Sequence, residues 1–309
     1  MTASSVLRLL TESAPAHGSP EAVDVWWQAW NFELTILIPV AIAALFYLHG
    51  LSRWKDRSRL HSRWRTASYF SGLLLLVLAL ESPLDYLSEH HFTFHMVQHE
   101  LLMMVAVPLT LLGAPTTPSL LGMPRWLRMG VVRRVVGQAL VRALLRFVTH
   151  PLVAVIVLTV LMYAWHLAPG WYDGALRNEW IHALQHGSFI LAALLFWWNV
   201  IDPMPLRARM SYPLRMVYLL VGSTPKHFLA ALIAFGDEPL YDVYAEVERV
   251  VDMSLLTDQA FGGMLMWAPS QMMHLAAIGI LFFIWAIRSE EEAQIREDEA
   301  RAIAAAEDG

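Results

Sequence analysis

The sequence predicts an all-α, polytopic membrane protein of seven transmembrane helices, with its N-terminus outside and its C-terminus in the cytoplasm. Three observations predict this. Of 309 residues, 57% are hydrophobic and 16% charged, with a mean hydropathy of +0.45, too apolar for an ordinary soluble domain. Seven apolar runs approach or exceed the roughly 20 residues that cross a bilayer as a helix. The loops between them alternate in charge.

The runs lie near 33–51, 67–87, 93–113, 149–168, 180–200, 213–235 and 259–287. Backbone groups in lipid must pair internally, and no strand-like alternation runs through these segments, so they read as helices. After the first run come Arg53, Lys55, Arg57, Arg59, Arg63 and Arg65; after the third, Arg125, Arg128, Arg133, Arg134, Arg142 and Arg146; after the fifth, Arg207, Arg209 and Arg215. The alternate loops carry Asp85 and Glu89, then Asp173 and Glu179, then Asp237, Glu238, Asp242, Glu246, Glu248, Asp252 and Asp258. The positive-inside rule places the Arg-rich set in the cytoplasm.

Residues 1–30 read as a polar extracytoplasmic tail without the apolar core of a signal peptide. Residues 31–288 form the seven-helix domain, and 289–309 a Glu- and Ala-rich cytoplasmic tail, expected to be a solvated helix. The loop 114–147 is the longest on the cytoplasmic side, and Leu120 to Gln138 is expected to lie along the interface with its arginines toward headgroups. The 13 Trp suit interfacial anchoring. Cysteine is absent, which excludes disulfides, zinc-thiolate sites and thiol redox chemistry within this chain.

Topology turns the histidines into a map. His95 and His99 lie four residues apart at the outer start of the third run, as do His182 and His186 on the fifth. Residues four apart share a helix face, with Cβ atoms roughly 5–6 Å apart. His166 closes the fourth run at the same depth. Histidine at the membrane edge is expensive and therefore a functional hypothesis. Two pairs and a fifth ring at one level suit a single metal ion; the plain alternative is a polar network between helices. His227 lies deeper, and His274 deeper again. His49, His150 and His274 read as lone rings bonded to carbonyls, and His17, His90 and His91 as solvated loop residues.

Met96, Met103 and Met104 follow the first pair, and Met264, Met266, Met272 and Met273 sit on the last run. Thioether sulfur suits Cu(I), though methionine is also a filler of apolar cores. Met266 lies near Asp258 at the outer end, and both join the candidate ligands. Glu100 and Lys226 are unusual inside apolar runs and are expected to pair, or to orient a ligand. Pro108, Pro225 and Pro269 should kink their helices and free carbonyls. Gly262-Gly263 permits close helix approach. No phosphate loop, nucleophile elbow or zinc-protease motif is present. Topology explains the arginine loops, so no nucleic-acid partner is expected.

Four strings in order, HMVQHELLMMVAVPLTLLGAP at 95–115, WHLAPGWYDGAL at 165–176, IHALQH at 181–186 with FWW at 196–198, and DQAFGGMLMWAP at 258–269, resemble the CtaG-type cytochrome c oxidase assembly factors. The resemblance covers about residues 30–287. It implies a role in biogenesis of haem-copper oxidases by copper delivery, with His95, His99, His166, His182 and His186 as copper-site candidates and Asp258 and Met266 nearby. Family members commonly carry an apolar residue or Met where this chain has Glu100.

The resulting expectation is a non-enzymatic copper-binding assembly factor in the bacterial inner membrane, handing copper to a haem-copper oxidase subunit. An exchangeable His/Met set suits hand-over better than a closed thiolate cage. Two rivals stand beside it. One is a haem b-binding redox protein, since facing histidines can ligate haem. The other is a metal or proton transporter using His227, Lys226, Glu100 and His274.

Overall fold

The computed structural model describes residues 26–55, 61–202 and 209–307, and every regular element among them is helical. The tail through residue 25, with Arg8 and His17, and the loop arginines Arg57, Arg59 and Arg207 lie outside the described residues.

The first helix, α1 (Leu34–Arg53), crosses the short helix α5 (Thr116–Gly122) at backbone contact. A Cβ on Gly50 would sit 1.7 Å from the Pro118 carbonyl oxygen, and one on Gly122 equally close to that of Phe46. Only glycine permits this approach. Tyr47 locks the crossing: its hydroxyl donates to Gly113 O at 2.9 Å and meets His61 Nε2 at 2.9 Å, while its ring stacks on Tyr69.

The second apolar run is broken. It divides into α2 (Arg63–Glu81) and α3 (Pro83–His90), bent by 48°. A residue before proline is pushed out of helical geometry, and Ser82 takes extended backbone there, its hydroxyl accepting from Leu84 N at 3.3 Å. The fourth run is α7 (Pro151–Leu167), unbroken, and the preceding α6 (Ala139–Val148) meets it at 67° just before Pro151. Five helices are individually long and apolar enough to cross a membrane, and the two bent pairs raise the number of candidate spans to seven.

The third run is α4 (Phe92–Leu112), which widens into a π-type turn over Leu101–Ala106. In that turn Val107 N bonds back to Leu102 O, so the next amide would bond to Met103 O. Residue 108 is proline and has no N–H to give. Trp197 Nε1 takes its place, donating to Met103 O at 3.0 Å. The kink expected at Pro108 is thus a wide turn whose free carbonyl is capped from α9 (Glu179–Trp198). Such turns concentrate near functional sites, and this one begins two residues after His99.

Between α7 and α9, α8 (Trp171–Leu176) starts from Gly170 in left-handed backbone, φ 71°. Asn178 caps α9, its side chain accepting from Trp180 N and Ile181 N. The chain closes with α10 (Tyr212–Ala234), α11 (Val243–Glu246) and α12 (Leu255–Glu307). The expected tail is continuous with the last span: α12 runs 53 residues without a break, about 80 Å at 1.5 Å per residue. Helices α10 and α12 touch through Gly263, where a Cβ would lie 2.7 Å from Ala234 N. The buried centre holds Phe92, Met96, Met103, Phe189, Phe196, Leu219, Leu229, Ile233 and Met266. Outward faces stay apolar, as at Leu45, Val160, Leu191, Phe228 and Phe283, the surface a bilayer covers.

The stretch expected along the interface, Leu120 to Gln138, is built of short pieces. It is cut at Met123, passes a wide turn over Trp126–Val132, and stops at Gln138 in extended backbone. The amphipathic helix lies just beyond it, as α6, with Leu140, Leu144 and Phe147 exposed.

Candidate metal centre

Three helices deliver their histidines to one point. The N-terminal turns of α4 carry His95 and His99, the N-terminal half of α9 carries His186, and the C-terminal turn of α7 carries His166. Each end is tied in place. Gln98 Nε2, on α4, donates to Ala79 O at 2.8 Å and to Asp85 Oδ1 at 2.7 Å. Trp165 Nε1, on α7, donates to Ser188 Oγ on α9 at 2.9 Å.

Among the described residues, His95, His99 and His186 offer one ligand nitrogen each within 4.8 Å of one another. They are 0, 4 and 6% exposed. His95 Nε2 and His99 Nε2 lie 2.9 Å apart; one donates to the other, and moving that proton to the donor ring's own Nδ1 leaves both Nε2 lone pairs facing the same point. His186 Nε2 is buried with no hydrogen-bond partner. The rings pack directly on one another, with centroids 5.1 Å apart for His99 and His186 and 5.8 Å for His95 and His186.

His166 stands one step away, its ring 6.3 Å from that of His99. Its Nδ1 is 2.8 Å from Met162 O. A carbonyl only accepts, so Nδ1 carries the proton and Nε2 the lone pair, the tautomer a metal ligand needs. That Nε2 is buried and unpartnered. His182 is half-buried and flanks the group, its ring 4.3 Å from His186 and 5.3 Å from His95. The five predicted histidines therefore form one cluster, with three at its centre.

Asp258 and Met266 are engaged elsewhere in the structure. Both Asp258 oxygens are committed to the start of α4: Oδ2 accepts from Phe92 N at 3.0 Å and Oδ1 from Thr93 N at 2.8 Å, while Arg249 pairs with Oδ2 at 2.8 Å. The four orphan N–H groups of a helix start attract an acceptor, and that demand outweighs a ligand role here. Met266 is buried in the main core, one turn after Gly262, whose face meets Phe92 and Met96.

Other histidines depart from expectation. His90 and His91 are buried, not solvated, because the segment between α10 and α12 folds over them: Arg249 donates to His90 O at 3.3 Å, and Val251 N to His91 Nε2 at 3.0 Å. His49 and His150 are exposed rather than bonded to carbonyls. His274 does donate from Nδ1 to Ser270 O, at 2.7 Å. Lys226 and Glu100 pair as expected, and Lys226 also donates to Ser270 Oγ at 3.0 Å.

Several residues escaped the sequence reading. Gln185 is fully buried on α9, its side-chain amide against His95. Tyr172, Tyr241 and Tyr244 roof the cluster: Tyr172 lies 5.3 Å from the His95 ring and 4.0 Å from that of Tyr241, and its hydroxyl meets Tyr244 OH at 2.8 Å. Burial pushes the Tyr172 and Tyr244 hydroxyls well above the usual phenol range, so they stay neutral. The available signal was an aromatic in each polar loop, which interfacial anchoring explained equally well.

The sequence model described as cytochrome c oxidase caa3 assembly factor (Caa3_CtaG) matches residues 45–288. Relatives include an uncharacterized protein of Mycobacterium bovis, 26% identical over 282 residues covering 87% of this chain and 41% of that protein. Another is an uncharacterized protein of Mycobacterium leprae, 24% identical over 292 residues, 90% of this chain and 42% of its own length. The chain thus spans about two fifths of the length of these curated relatives. No solved structure matches it. With four predicted strings in order inside the matched region, and their histidines converging, the chain belongs to the cytochrome c oxidase caa3 assembly factor family.

Proposed function

We propose that this protein binds copper at His95, His99 and His186 and delivers it to a haem-copper oxidase subunit during assembly. The observation that carries this reading is the convergence of three buried imidazoles from two helices, their ligand nitrogens within 4.8 Å of one another. Three nitrogens with no thiolate make a site that holds copper and can release it. On this reading the molecule is a seven-span protein of the bacterial inner membrane. Its arginine-rich loops are cytoplasmic and its histidine cluster lies near the outer face, where an oxidase subunit can collect the metal. The copper is cargo, and the role is not enzymatic.

The test is complementation in cells lacking this chain. Wild type restores copper content and activity of the oxidase. His186→Ala and His95→Ala insert normally and restore neither. Full oxidase activity with both variants contradicts the assignment. The transporter reading draws on the Lys226–Glu100 pair and His274, and predicts that His274→Ala is as damaging as His186→Ala; copper delivery from the outer cluster predicts a mild effect.

A further inference from the structure

A cavity of about 130 Å³ opens beside the cluster, lined by His166, the α7–α8 turn from Leu167 to Gly170, Tyr172, Asp173, Leu240 and Tyr241. Two features make it more than a packing fault. At its inner end is His166, 4% exposed, with the buried, unpartnered Nε2 lone pair described above. Asp173 also lines it, its carboxylate held by backbone hydrogen bonds from Val243 and Asp242 and its Oδ1 shielded from solvent. An imidazole and a carboxylate among the residues lining one cavity supply the ligand types a cation takes, and an unmatched buried imidazole nitrogen beside it calls for a partner. A polar space of this size also admits water, so a hydrated ion can enter.

The walls can part. One side is the α7–α8 turn, whose Gly170 has open space around it. The other is the loop before α11. Beyond them, the end of α8 and the end of α11 are joined by Arg177 and Glu246 at 2.8 Å, a pair 49 and 59% exposed, and exposed pairs of this kind contribute little. Inside, Tyr241 donates to His166 O at a long 3.4 Å, and its ring rests on Tyr172.

We propose that this cavity is the loading port of the metal centre, through which copper exchanges with its donor and acceptor, meeting the Asp173 carboxylate first and His166 Nε2 second. The inference rests on the copper reading above. It assigns Asp173 a capture role and Leu240 a place on the wall of the route, and makes His166 the relay between port and centre rather than a fourth equal ligand.

The experiment is copper exchange on detergent-purified full chain, supplied as Cu(II) or Cu(I), whichever wild type binds, and withdrawn by a strong chelator. The half-time is read on the fraction that binds. Leu240→Trp fills the cavity from a side chain that is 44% exposed, and is expected to lengthen the half-time about tenfold, a barrier rise of about 1.4 kcal/mol. Asp173→Asn is expected to slow uptake on the order of tenfold and to remove most of its dependence on salt, the signature of a charge that attracts the ion. If Leu240→Trp fails to fold, the salt dependence of Asp173→Asn carries the test alone. Wild-type rates and salt dependence in the variants overturn the port while leaving the centre in place. No copper uptake by wild type overturns the copper reading and the port with it.

Discussion

Asp258 and Thr93 are bonded twice: Thr93 N donates to Asp258 Oδ1 at 2.8 Å, and Thr93 Oγ1 donates back to Asp258 O at 3.0 Å. The start of α12 therefore fixes the start of the helix that carries His95 and His99. A carboxylate at a helix N-terminus satisfies free N–H groups and the positive end of the helix dipole. Asp258 acts on the cluster through this position rather than by touching it. Asp258→Asn is predicted to lower stability by about 1–3 kcal/mol, through a weakened cap and a partly unpaired Arg249. At saturating copper it retains the wild-type metal content. Thermal unfolding and metal analysis on the same preparation check this; stoichiometric metal loss with unchanged stability makes Asp258 a ligand after all.

The two histidines of α9 should behave differently. His186 contributes a buried nitrogen to the central three, while His182 flanks them half-exposed. His186→Ala is predicted to abolish measurable copper binding. His182→Ala is predicted to weaken it about 10–100-fold, the usual effect of an outer partner. Competition against a chelator of known affinity separates the two, and equal losses contradict the three-plus-flank arrangement.

The Lys226–Glu100 pair is buried, with side chains 4 and 14% exposed. Removing one partner strands a charge and is predicted to cost about 3–5 kcal/mol, whereas replacing both with methionine recovers most of that loss. Unfolding of Glu100→Met, Lys226→Met and the double variant completes the cycle. Additive losses would show that the two side chains do not act as a pair.

One substitution should have opposite signs at two glycines of α12. At Gly263 a Cβ would meet Ala234 N at 2.7 Å, but at Gly279 nothing lies within 4 Å. Gly263→Ala is predicted to destabilise by about 1–3 kcal/mol through overpacking. Gly279→Ala is predicted to stabilise by about 0.5–1 kcal/mol through helix propensity. Melting temperatures of the two variants in one detergent decide it.

What the sequence disclosed followed from periodicity and charge. His95 and His99, then His182 and His186, announce shared helix faces by their spacing, and the apolar runs bring those faces to one depth. The Lys226–Glu100 pair was legible because each charge is costly in an apolar run. The break at Ser82-Pro83 was readable in principle, since proline constrains its predecessor, but the continuous apolar run 67–87 masked it. The commitment of Asp258 to Phe92 and Thr93 was hidden because it joins residues 165 and 166 positions apart. The burial of His90 and His91 depends on a loop that folds back from Arg249 and Val251, and no local pattern foretells that return.

The central claim is tested most directly by the metal content of the full chain purified in detergent, beside His95→Ala/His99→Ala, with a visible spectrum of each. The account predicts near-stoichiometric copper in wild type, its loss in the double variant, and no haem absorption in either. Copper-free wild type after exposure to the metal, or equal copper in both proteins, contradicts it.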